Sequence, residues 1–91
     1  MFIITNCTPE GNYTPTVVKT KIEAINWMTS CTKNNIIASS DKFNEPVSIN
    51  EVFEWAKNNM DFKISDEESK LYYSDGSYNI MQIFEFPSID I

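Results

Sequence analysis

Leu71-Tyr72-Tyr73-Ser74-Asp75-Gly76-Ser77-Tyr78-Asn79-Ile80-Met81-Gln82-Ile83-Phe84-Glu85-Phe86 reads as two strands joined by a turn, and it sets the fold class. Aromatic and β-branched residues fill both flanks, and Asp75-Gly76 tolerates the positive φ angles that a type I′ hairpin turn demands. Ile80, Met81, Ile83 and Phe84 put apolar side chains on both faces of the second strand, which predicts a central place in a sheet. Pro87 ends it. Alternation sends Tyr72 and Tyr73 to opposite faces, leaving one of them exposed.

Upstream, Phe62-Lys63-Ile64 predicts a short strand closed by the acidic turn Asp66-Glu67-Glu68. Ser48-Ile49-Asn50-Glu51 has the form of a capping box, and Val47 with Val52 that of a hydrophobic staple. Ile49, Val52, Phe53, Ala56 and Met60 then recur at helical spacing as one inward stripe. Thr20-Lys21-Ile22-Glu23 is a second capping box, followed by Ala24, Trp27, Met28 and Cys31 on one face of a helix running to about Lys33, with Trp27 in the core. From Asn34 to Pro46 the period is lost, which reads as a connection in which Ile36-Ile37-Ala38 either extends the helix or pins the loop. At the start, Phe2-Ile3-Ile4-Thr5 and Thr16-Val17-Val18-Lys19 read as a hairpin, with Pro15 at the start of its second strand and turn formers Thr8 to Asn12 between. The order ββ-αα-β-ββ predicts an α+β fold, an antiparallel sheet of four to five strands with two helices on one face. Ile89 and Ile91 form a tail whose packing the sequence leaves open.

The 91 residues fit a single domain, residues 1–91. The longest apolar run is Phe2 to Ile4, against the roughly 20 residues of a membrane span and the roughly 7–15 of a signal-peptide core, so the expected compartment is the cytoplasm with no membrane association. Cys7 and Cys31 have no C-x-x-C spacing and the chain has no histidine, so no zinc site, disulfide framework or other cofactor is expected. Without a base to raise a thiolate, and with no spacing that pairs two carboxylates for catalysis, no enzyme activity is expected. The Asp66-Glu67-Glu68 run lacks the alternating ligands and the glycine of a calcium loop.

Charge is the informative property. The net charge is −6, and arginine, the usual reader of guanine edges and phosphates, is absent, which argues against direct nucleic-acid binding. Residues 1–40 hold two acids against three lysines, whereas residues 41–91 hold eleven against four. A protein partner with a basic surface is therefore expected to meet the second half, through Glu51, Glu54, Asp66, Glu67, Glu68 and Asp75. Trp55, off the inward stripe and beside Glu51, reads either as packing at the core rim under the chain that adjoins its helix, or as an exposed interface anchor.

Phe2-Ile3-Ile4-Thr5, Thr20-Lys21-Ile22-Glu23-Ala24-Ile25-Asn26-Trp27-Met28 and Tyr78 to Glu85 together resemble the short open reading frames of phages and mobile elements, over about a third of the chain. Within that population its size and acidity resemble the anti-CRISPR proteins and acidic DNA-mimic inhibitors. The resemblance implies a stoichiometric inhibitor of a CRISPR effector or another nucleic-acid-binding protein, acting in the host cytoplasm. It carries over no site residues. The alternative is a homo-oligomer, for instance a dimer formed through an edge strand or the Ile89–Ile91 tail, whose charge serves solubility alone.

Overall fold

The computed structural model describes residues 1–44 and 47–87. Along the chain run β1 (Phe2–Thr8), β2 (Gly11–Asn12), β3 (Thr16–Val18), α1 (Lys21–Ser40), α2 (Ile49–Asn59), β4 (Asp61–Ile64), β5 (Glu68–Tyr72) and β6 (Tyr78–Glu85). The fold is α+β. One antiparallel sheet runs β2-β1-β6-β5-β4, with β3 also paired to β1. β6 lies between β1 and β5, the central place its two-sided apolar pattern predicts.

β2 and β3 occupy the same flank of β1. Cys7 faces Asn12 and Ile4 faces Thr16, so Tyr13, Thr14 and Pro15 stand opposite only Thr5 and Asn6. The extra residue is a bulge, placed where Pro15 has no N–H to offer the ladder. It divides the expected second strand in two and brings the strand count to six.

Both helices cover one face of the sheet, which carries the buried Ile4, Phe62, Ser69, Leu71 and Met81. The threonine of the first capping box and the serine of the second accept from the N–H of Glu23 and Glu51, each at 3.2 Å. Among the described residues the reciprocal glutamate bonds are not made, so both carboxylates stay in solvent. Val47 packs against the buried cluster to which Val52 belongs.

α1 is longer than its apolar pattern indicates. Its buried residues are Ala24, Met28, Thr32 and Ile36, one every fourth position, so the stripe passes through a threonine and reaches Ile36. Trp27 and Cys31 are only half-buried. The helix continues through Asn34 and Asn35 to Ser40, where Asp41 turns the chain at φ 54°. Ile36 then joins Val52, Ala56, Phe62 and Leu71 in the cluster that fastens both helices to β4 and β5.

Two turns also differ from expectation. A type I′ turn needs positive φ at both Asp75 and Gly76, but of these only Gly76 has it, at 89°. Tyr73 N–H donates to the Ser77 carbonyl at 2.8 Å and Gly76 N–H to the Tyr73 carbonyl at 3.1 Å, enclosing a three-residue loop, Ser74 to Gly76. Asp75 keeps ordinary backbone angles because its carboxylate accepts from Ser77 N–H at 2.9 Å. In the β4–β5 turn, Glu68 is already in the strand, opposite Gln82. Backbone N–H groups of Glu67 and Glu68 donate to the Ser65 hydroxyl and Ser65 N–H donates to the Glu68 carbonyl at 2.9 Å, which closes the turn at Glu68.

The threonine in the α1 stripe is satisfied. Thr32 donates its only hydroxyl proton to the Met28 carbonyl at 2.8 Å, so at 2.9 Å from Ser69 Oγ it accepts the Ser69 proton. Thr32→Val strands a buried serine hydroxyl and is expected to cost about 1–3 kcal/mol. Adding Ser69→Ala should recover part of that loss, read from urea midpoints of the two single variants and the double variant.

Candidate functional site

The expected acidic residues separate into two groups. β5 runs from Glu68 to Tyr72, so the turn holding Asp66 and Glu67 lies at one end of the strand and the Asp75 turn at the other, on the order of 20 Å apart at ~3.3 Å per residue. α2 doubles back over β4, since the Phe53 and Phe62 rings lie with centroids 5.2 Å apart. Its first turn, with Glu51, therefore points toward the Asp66-Glu67 end, while Asp61 and Asp75 belong to the other. Glu54 stands exposed on the outer side of α2. The seven residues do not converge on one patch.

Trp55 is half-buried, and its ring meets Phe43 edge-to-face with centroids 5.5 Å apart. It thus packs under the chain that leads into α2, the first of the two readings its sequence position allows, with part of the ring still accessible.

Ionic compensation is slight. Glu68 to Lys70, at 3.6 Å, is the one ion pair among the described residues. Glu51, Glu54, Asp66, Glu67 and Asp75 are exposed and unpaired. No described group of three His, Cys, Asp or Glu is placed to hold a metal ion, and no described helix is long and apolar enough to cross a membrane. Comparison with protein-family models, with curated proteins and with solved structures finds no match.

A cleft of about 220 Å³ opens at the Asp75 end. Strand and turn residues alone line it, among them Thr8, Glu10, Tyr13, Tyr73, Ser77 and Asn79. Sequence reasoning missed this grouping because no motif links the residues. Only the antiparallel pairing of β1 with β6 brings the Pro9-Glu10 turn beside Ser77 and Asn79. Asn79 Oδ1 is buried with no hydrogen-bond partner, as is Asn6 Oδ1 one step along the same face.

Two titrations report on the neighbouring turn. Hydrogen bonds from the Ser77 hydroxyl and N–H hold the Asp75 carboxyl below its ordinary range. Burial, and then the charge of Asp75, push the Tyr73 phenol up. Burial also raises the Cys31 thiol, leaving it less nucleophilic than a free cysteine.

A carboxyl depressed in the fold stabilises it above the unfolded carboxyl pKa, and this contribution is lost as pH falls through the folded value. For the raised tyrosine the contribution is present below the unfolded phenol pKa and lost as pH rises through the folded one. Asp75→Asn should therefore lower the Tyr73 titration midpoint without restoring it to that of a free tyrosine, since burial is the larger cause. Tyrosine Cζ resonances followed by NMR through alkaline pH check this, with free N-acetyl-tyrosine amide as the reference.

Proposed function

We propose that this chain is a small acidic, non-catalytic binding protein of the phage anti-CRISPR type, which blocks a nucleic-acid-binding effector by placing its carboxylates on the effector's basic surface. The observation that supports this most is the lack of internal neutralisation. Of the described carboxylates, only Glu68 has a lysine partner. Carboxylates held at both ends of the sheet, on the order of 20 Å apart at ~3.3 Å per residue, present charge along a length, as a nucleic-acid backbone does. Long-range attraction would then speed encounter and select basic partners, and Tyr13 or the accessible part of Trp55 would supply desolvated contact.

Immobilised protein should retain nucleic-acid-binding proteins from a host lysate at low salt. Duplex DNA should compete for them, and salt should release them as the screening length falls from ~10 Å at 0.1 M to ~3 Å at 1 M. The triple variant Glu51→Gln, Asp66→Asn, Glu67→Gln should bind a retained partner roughly ten-fold more weakly, at about 1 kcal/mol or less per exposed carboxylate, with its thermal midpoint little changed. A partner whose affinity is flat across that salt range would refute charge mimicry even if inhibition were real.

One observation favours the second reading, self-association. The sheet face away from the helices carries Val17, Phe84 and Tyr72, exposed by 52, 48 and 39 %, with Ile3 and Ile80 half-buried between them. Lys63 and Lys70 stand there opposite one another, with Asp61 and Glu68 on the same face, so the face is close to neutral in an acidic chain. If two copies meet on it, sedimentation equilibrium gives a dimer that Phe84→Lys converts to monomer. A wild-type monomer at every concentration tested removes this reading.

A further inference from the structure

The cleft at the Asp75 end brings together two hydroxyl groups, a carboxylate and three tyrosine rings. Thr8 spends its hydroxyl proton on the Gly11 carbonyl at 3.1 Å, and Ser77 spends its proton on Asp75 Oδ1. Toward the cleft both hydroxyls therefore have only lone pairs to offer. Glu10, exposed in the β1–β2 turn, adds a carboxylate at the mouth. Tyr13, exposed by 57 %, and the half-buried Tyr73 contribute aromatic surface to the same lining.

A ligand matched to the hydroxyl lone pairs, the Glu10 carboxylate and the Tyr13 ring has several donors, a positive charge and a flat body that rests on an aromatic ring. The guanidinium group meets every condition, with five N–H donors in a planar fork and a preference for ring faces. A lysine ammonium meets fewer of them, because its donors radiate from a point and it stacks less well.

We propose that this cleft is a receptor for one arginine side chain of the partner protein, with Thr8 Oγ1 and Ser77 Oγ accepting from the guanidinium, Glu10 neutralising it and Tyr13 stacking on it. This rests on the reading of the chain as a binder of basic protein surfaces. It narrows that reading from diffuse attraction to one anchored residue.

The test uses the intact chain and a small probe, N-acetyl-arginine methylamide, titrated while backbone amides are followed by NMR. Saturable shifts are expected at Glu10, Tyr13, Ser77 and Asn79, with a dissociation constant on the order of millimolar. The lysine analogue should bind more weakly, and the citrulline analogue, which is neutral and carries an acceptor oxygen, should not bind. Glu10→Gln and Tyr13→Ala, both at exposed positions, should each weaken binding roughly two- to five-fold.

Shifts that are absent, that centre on Asp66 and Glu67 instead, that appear equally with citrulline, or that persist unchanged in both Glu10→Gln and Tyr13→Ala overturn the proposal. The probe needs no partner, so its failure is separable from failure of the salt test. Arginine binding with a salt-independent partner would leave the cleft standing and remove the mimicry.

Discussion

The pairing of β1 with β6, six residue pairs from Phe2 with Glu85 to Cys7 with Ile80, joins the first strand of the chain to the last and places them at the middle of the sheet. Every intervening element must then leave from one edge and return at the other. The chain departs at β3, on the outer flank of β1, and re-enters at β4, the opposite edge. Five strand positions at ~4.8 Å leave roughly 20 Å to be crossed. A 20-residue helix, about 30 Å long at 1.5 Å per residue, crosses it obliquely. α1 is long because the closure of β1 on β6 requires it to be, and Thr32 meets Ser69 where it passes over β5.

One crossing by two consecutive helices also explains why only one face is covered. Between β3 and β4 lie both helices of the described residues, and α2 turns back over β4 without reaching the other side. The far face stays open and close to neutral, while Asp66 and Glu67 stand in the turn at one end of the sheet and Glu10 and Asp75 in the turns at the other. α1 comes down on β5 and leaves the Thr8 and Asn79 end of its own face uncovered, which is where the cleft opens. Charge at the ends, a neutral sheet face and an uncovered corner all follow from the same topology.

Much of this was legible in the residues. The α+β class, the central place of β6, both N-caps and the split of Tyr72 and Tyr73 between faces follow from alternation and from capping serine and threonine. The length of α1 was hidden because its stripe runs through Thr32, a residue whose polarity interrupts an apolar count although its hydroxyl is satisfied inside. The Asp75 turn misled because Asp-Gly serves two hairpin types, and the choice was made by the carboxylate bond to Ser77. The bulge at Tyr13 to Pro15 needed the register of two separate pairings. The cleft was invisible for the same reason, since Thr8 and Asn79 lie 71 positions apart and carry no motif.

The central claim is that unneutralised negative charge is concentrated at the two ends of the sheet and is weak over its open face. Paramagnetic relaxation of backbone amides by a cationic nitroxide, compared with its anionic counterpart, measures that potential residue by residue. The cation should dominate around Asp66 and Glu67 and around Glu10, Asp75 and Ser77, with little difference between the two probes at Val17, Ile80 and Phe84. Equal enhancement by both probes at the turns, or a cation excess spread evenly over the open face, would contradict the account.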